Sequence, residues 1–528
     1  MLRLTPILSN NDLYWASLLD SEGIPWKTTE ETGNNTIVLI LNAKSSKLDQ
    51  EYAEKTLLHG GSVVLEDSAS LAGVPEHGET IMLSYDSRYF IGVSDDAKSE
   101  IIKFKIVKHL NGTVVYLPFK LKKVWNNCRT ERRCIRDSHS EENIVWEKLP
   151  AINRKNIRRV VLKALKIAYH SAGLPFVHKW YWPQDNRSIF CFRGDMDVGN
   201  SESMLRFVHA VRPWKNSLTL FACGSAYEGK RELLRKASKA ASEMGNHTFS
   251  HYVYSSPRKN RINLELTERM LSAVDVVPKG YVGPASFWHP SMYDVLQENG
   301  YQYTSSFGLD HDNFPYFPVR NSKETYDLVE IPFHCLGDRF PKFGIKLNSP
   351  EVFGFFDQLI DKKYNAGEPI AIYGHPDMED RLGDYPELVE RICERAMSFS
   401  DIWTGNMSQL AQWWRSRHAV RAGIVFDSAS GVLSARNIFD KIDIFWSIQT
   451  ADGRWYLEKS SRLKEGVRLD ALTPRDPLIP PSQTDVGEII YSPNSRNFVS
   501  MYRAWRLALR RKAIKTRELK AAKTRLGV

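Results

Sequence analysis

No C-x-x-C pair occurs among the six cysteines (Cys128, Cys134, Cys191, Cys223, Cys335, Cys393), so the chain encodes neither a dithiol redox motif nor a cysteine-rich zinc site. No export signal is legible either. Met1 to Leu8 is short and interrupted by Arg3 and Pro6, and Asn10, Asn11 and Asp12 follow at once. Reduced thiols packed as small apolar side chains in a cytoplasmic protein are therefore the expectation. No apolar run reaches the ~18–20 residues that a membrane-spanning helix needs. No internal repeat is found, which argues against a solenoid or a propeller. A basic body is missing as well, although the formal net charge is +10. From Met501 to Val528 ten Lys or Arg face one acid, Glu518, so this segment holds nearly the whole imbalance. Nucleic acid is thus not an expected partner of the body. The basic segment has a weak helical face (Met501, Trp505, Leu509, Ala513). It reads first as a solvated terminus, and second as a peripheral contact with the inner face of a membrane.

What is present is a long alternation of strand and helix patterns. A chain of 528 residues holds roughly three or four domains at about 100–200 residues each. Residues 1–125 read as an N-terminal α/β domain, amidotransferase-like or flavodoxin-like, with helical spacing at Asp12–Glu22 and Leu48–His59. Buried strands are expected in it at Thr36–Leu41 and Ser62–Glu66, with further strands at Thr80–Ser84, Ile101–Val107 and Gly112–Leu117. It lacks a nucleophile-elbow cysteine, so a non-catalytic relic or a scaffold is expected. Residues 126–185 read as a polar connector followed by a helix over Asn153–Ala172, and residues 186–418 as repeated β–α units around a parallel sheet. Residues 419–480 read as a small β-sandwich, and 481–528 as a Pro-rich linker with the basic tail.

Three signals fall at the carboxyl ends of strands in 186–418, where barrels of this kind build their sites. The run Ser188-Ile189-Phe190-Cys191-Phe192 leads into Arg193-Gly194-Asp195-Met196-Asp197. Strand alternation sends both aspartates to one side, and two carboxylates there need a cation, a basic partner or open water. About fifty residues on, His247-Thr248-Phe249-Ser250-His251 places two imidazoles at i, i+4, on one face if the segment is helical. Then Ile370-Ala371-Ile372-Tyr373-Gly374-His375 is an apolar strand delivering one more histidine to the same end.

Together these residues resemble the polysaccharide deacetylase family, the NodB-homology or carbohydrate esterase family 4 type. The resemblance covers under half of the chain. It implies a deformed (β/α) barrel that binds a divalent metal, most often zinc. It further implies that Asp195 is the base, that Asp197, His247 and His251 are the metal ligands, and that His375 is the acid. The spaced D-x-D resembles a variant branch of the family. Pro284 and Ala285 fall on the third motif, with Ala285 near a backbone N–H for an oxyanion, while Trp288 and Tyr303 are candidates to face a sugar ring, as is Phe287. The arginine expected in that motif is absent: Val282 stands in its place, and Arg193 is the nearest substitute in sequence. His289, His311, His334 and Asp377 are weaker candidates, Asp377 as a group that orients a histidine. The expected activity is removal of acetyl groups from an N-acetylated sugar of a polysaccharide or glycolipid. The alternatives are hydrolysis of non-sugar cyclic amides, and a catalytically silent carbohydrate-binding barrel.

Overall fold

The computed structural model describes residues 2–9, 12–29, 37–42, 45–67, 69–84, 101–125, 130–136, 144–150, 154–286, 288–306, 314–320, 324–333, 337–338, 349–439, 442–478 and 498–526. At its centre are eight parallel strands: β1 (Ser188–Met196), β2 (Leu218–Ala222), β3 (Glu243–Asn246), β4 (Gly280–Tyr281), β5 (Tyr303–Thr304), β6 (Val329–Glu330), β7 (Ile370–Gly374) and β8 (Ile402–Thr404). Their spatial order is β6-β5-β4-β3-β2-β1-β7, and β8 pairs with the first residues of β1. Among the described residues no ladder joins β6 to β7, so the barrel is open on one side, a deformed (β/α) barrel.

The alternation of β1 sets up the site. Phe190, Phe192 and Met196 point outward into a helix-facing core with Met204, Phe207, Val389 and Ile392. Ile189 and Cys191 point inward, beside Phe221, Val282, Tyr303 and Val329. Burying such side chains stabilises by roughly 1.5–3 kcal/mol each, which fixes the register of the strand. Arg193 and Asp195 continue the inward row. Helices cover the outer face, among them Ser201–Ala210, Pro257–Ser272, Ser349–Asn365 and Pro386–Met397.

The N-terminal region carries its own sheet. Its parallel strands run Lys27–Thr28, Ile7–Leu8, Val38–Leu41, Ser62–Leu65, Gly112–Tyr116, which is the 2-1-3-4-5 order of flavodoxin-like folds. Ile101–His109 and Glu79–Ser84 then add antiparallel strands. Part of the stretch expected as a connector is a hairpin, with Thr130–Arg136 antiparallel to Ile144–Pro150.

The strands of 419–480 do not close on themselves. Arg421–Asp427 pairs with Leu2–Arg3, and Phe445–Gln449 pairs with Phe176–Lys179. One hydrophobic core runs through the N-terminal sheet and the strands of 419–480, joining Trp15 and Val115 to Val161 and Leu165 of the helix Arg154–Ser171 and to Ile424 and Trp446. Cys191, Cys223 and Cys393 are free and buried. No helix among the described residues is long and apolar enough to cross a membrane.

Candidate active site

Asp197 follows the last residue of β1 and carries the point of convergence. Its Oδ1 lies 3.0 Å from His247 Nε2 and its Oδ2 lies 3.1 Å from His251 Nε2. One atom from each of the three residues falls within a cluster 4.8 Å across. His247 Nδ1 lies 2.9 Å from the carbonyl of Val282. A carbonyl only accepts, so Nδ1 bears a proton and Nε2 is the nitrogen turned to the cluster, where it offers a lone pair once deprotonated. Asp197 Oδ1 and His251 Nε2 are buried without a hydrogen-bond partner. Buried polar atoms are nearly always satisfied, and here Asp197 Oδ1 faces His247 Nε2 while His251 Nε2 faces Asp197 Oδ2, so the donor set fits a cation. Burial works against the charge of Asp197, yet the two imidazoles hold its carboxyl well below the ordinary carboxylate range.

The histidine pair lies at a strand end, as expected, and not on a helix. It lies in a loop after β3, in which Thr248 and His251 have left-handed backbone, φ 62° and 50°. Such conformations cost on the order of 1–3 kcal/mol each and persist only where their surroundings impose them. Here the helix Pro257–Ser272 imposes them. Asn263 Oδ1 accepts from Ser250 N (2.8 Å) and its Nδ2 donates to the Tyr252 carbonyl (2.8 Å). Asn260 grips Tyr254 in the same way, its Oδ1 accepting from Tyr254 N and its Nδ2 donating to the Tyr254 carbonyl, both at 2.8 Å.

The charge partner of Asp195 is Arg193. The guanidinium donates Nε to Oδ1 at 2.7 Å and Nη2 to Oδ2 at 2.6 Å, a bidentate pair on one strand face. Nη1 is held by the carbonyl of Ser305 at 2.7 Å. Burial alone would raise the Asp195 pKa; the charge and hydrogen bonds of Arg193 outweigh it and lower the pKa below its ordinary value. Val282, at the position where the resemblance places an arginine, is fully buried in the barrel interior. The arginine has in effect moved to β1.

His375 ends β7 with its Nε2 3.8 Å from Asp197 Oδ2. Its Nδ1 donates to Asp338 Oδ1 at 3.0 Å, and its backbone N–H donates to Asp338 Oδ2 at 2.8 Å. Burial would lower the imidazole pKa, but the Asp338 carboxylate more than offsets this, with Asp197 and Asp195 adding, and raises it to about 10. Nε2–H is then the proton facing the site. Sequence reading passed over Asp338, which lies 37 residues before its partner. Asp338→Asn should lower the His375 pKa. The acid form is then lost sooner as pH rises, so the alkaline limb of the kcat profile should move to lower pH, with about a tenfold or greater loss at pH 9. A pH profile with its alkaline limb unmoved contradicts this.

No family model matches the chain, and no curated protein matches it. Among solved structures it is similar to a putative polysaccharide deacetylase from Mycobacterium smegmatis, at 18% identity over 45% of this chain and 94% of that one, with a TM-score of 0.40. It is similar to a probable polysaccharide deacetylase from Pseudomonas aeruginosa PAO1, at 18% identity over 47% and 96%, TM-score 0.39. It is also similar to Puue allantoinase, at 16% identity over 44% and 92%, TM-score 0.38. The likeness spans less than half of this chain.

The remaining candidates divide. Ala285 is exposed, with a left-handed φ of 49°, and the neighbouring Pro284 is buried. Trp288 is half-buried, its ring 5.5 Å from that of Tyr293. Tyr303 offers no face to a sugar: it is fully buried, and its hydroxyl donates to Glu243 Oε1 at 2.8 Å. Its inward position on β5 puts the ring in the barrel interior. His289 hydrogen-bonds Ser291 at the start of the next helix, which gives it a local structural role. Asp377 bonds no histidine among the described residues; it accepts from the backbone N–H of Asp197. Phe287, His311 and His334 lie outside the described residues. The basic tail is a helix, Phe498–Leu526, whose described side chains are mostly exposed but which is seated at its foot by two buried residues. Leu519 and Ala522 are buried against Phe249, Tyr254 and Leu266, and Tyr254 donates to the Lys515 carbonyl at 2.9 Å.

Proposed function

We propose that the barrel is a metal-dependent hydrolase that removes acetyl groups from an N-acetylated sugar of a polysaccharide or glycolipid. The observation that carries this reading is the set of three converging ligands between a clamped carboxylate and a carboxylate-bound imidazolium. Two imidazoles and one carboxylate suit zinc and leave coordination positions open, as a catalytic site requires. When bound there, such a cation supplies Lewis acidity, polarising a carbonyl and making water acidic near neutral pH.

The chain's own residues divide the proton work. Asp195, kept ionised by Arg193, accepts the proton of the attacking water. It remains a weak base, so it acts on water that is already made acidic. His375, kept protonated by Asp338, gives its Nε2 proton to the departing nitrogen. Two titratable groups pushed in opposite directions within one mouth are a pattern of acid–base enzymes. Arg193 supplies the charge whose absence, at the missing motif arginine, was the main support for a silent barrel.

The test is acetate release from N-acetylglucosamine oligomers and lipid-linked acetylated sugars, run beside ring opening of cyclic ureides. Acetate from a sugar substrate, suppressed by a chelator and restored by zinc, is the expected result. Ring opening without acetate release would overturn this reading in favour of a cyclic-amide hydrolase.

A further inference from the structure

Asp377 lies two residues beyond His375 and is fully buried, yet the proton transfers above do not use it. All its described partners belong to the turn after β1 or stand next to it. Oδ1 accepts from Asp197 N at 3.0 Å. Oδ2 accepts from Val198 N at 3.0 Å, from Gly199 N at 2.6 Å and from the Tyr227 hydroxyl at 2.9 Å. The backbone adds a fifth link, Asn200 N to the Asp377 carbonyl at 3.2 Å. Three successive amides thus converge on one carboxylate, the arrangement by which backbone nests hold anions, with the anion here supplied by the chain itself. Gly199 makes it possible. Its φ is +72°, and a Cβ there would lie 2.4 Å from the Ala226 carbonyl oxygen.

We infer that Asp377 is a positioning residue for the metal ligand Asp197. It fixes the backbone from which the Asp197 carboxylate is aimed at His247 and His251. Because it sits on the loop of His375, it also sets the spacing between the proton donor and the ligand cluster. Four donors compensate the buried charge, so the carboxylate can be held where it is needed. Asparagine cannot replace it, because an Nδ2 turned toward two amides donates where an acceptor is required. Outer partners of metal ligands of this kind are worth about 10–100-fold in metal affinity.

The inference rests on the metal reading above, and the two fail separately. Zinc affinity is measured on the full-length protein by competition with a chromogenic chelator, with circular dichroism and Tm as controls. Asp377→Asn should bind zinc about 10–100-fold more weakly, with its fold retained and much of its activity restored by excess zinc. Gly199→Ala, which disturbs the same turn from the other partner, should weaken zinc binding in the same direction and keeps the test decisive if Asp377→Asn does not fold. Tyr227→Phe leaves all three amide donors in place and should weaken zinc binding clearly less than Asp377→Asn does. Unchanged affinity in Asp377→Asn, or in Gly199→Ala where Asp377→Asn does not fold, overturns the inference. An equal loss in Tyr227→Phe also overturns it, since that would mark a general loss of stability. Absence of zinc binding in the unaltered protein would instead defeat the metal reading itself.

Discussion

Asp195→Asn should slow acetate release by about 10²–10⁴-fold, the usual contribution of a positioned general base, while zinc content stays at the unaltered level. The separation of the two effects follows from geometry. Both oxygens of Asp195 are taken by Arg193, whereas the ligand cluster is built from Asp197, His247 and His251. The substitution keeps the shape of the side chain, and it removes the charge that accepts a proton. Side-by-side kinetics and metal analysis check this. Activity within about tenfold of the unaltered enzyme would remove Asp195 from the role of base, since a general base is worth more.

Arg193→Met should produce a second large effect, on stability and on pH dependence together. It leaves Asp195 buried without its partner, and breaking a buried pair in this way costs about 3–5 kcal/mol. In the unaltered protein the folded-state pKa of Asp195 lies below its ordinary value. The pair therefore contributes stability above the ordinary carboxylate range, and that contribution is lost as pH falls through the depressed pKa. In Arg193→Met burial is opposed only by the charges of His247 and His375, so the Asp195 pKa rises from its depressed value and the stability that the pair adds above the carboxylate range is lost. Any remaining activity should show an acid limb moved to higher pH, because the base becomes ionised later. Urea unfolding at pH 4 and pH 7, with a pH–rate profile, reads both. Equal stability of the two proteins at pH 7 would contradict a structural role for the pair.

The parts of the site that could be read from sequence are those that local periodicity controls. β1 alternates cleanly, so Arg193, Asp195 and the inward face followed from Ile189 and Cys191, and Arg193 was the natural substitute for the residue absent at Val282. The parts that could not be read depend on contacts distant in sequence. Asp338 reaches His375 across 37 positions, and nothing around Gly337 and Asp338 marks them. At their i, i+4 spacing His247 and His251 would share one face on a helix, and the sequence did not show how a loop brings them together. The loop conformation is instead imposed by Asn260 and Asn263, whose side chains replace the hydrogen bonds a helix would have supplied. Tyr303 looked like a sugar platform because aromatic residues at strand ends can line sites, and only its bond to Glu243 shows that it faces the interior. The tail read as solvated because its charge hides the two small apolar contacts, Leu519 and Ala522, that seat its foot beside the histidine loop.

The central claim is that Asp197, His247 and His251 hold a divalent cation. Metal analysis of the purified protein tests it most directly, with His247→Ala carried through the same preparation. One equivalent of a divalent ion per chain, zinc above others, with little or none in His247→Ala, is the predicted result. No stoichiometric metal in the unaltered protein after zinc loading, or the same content in His247→Ala, would contradict the account.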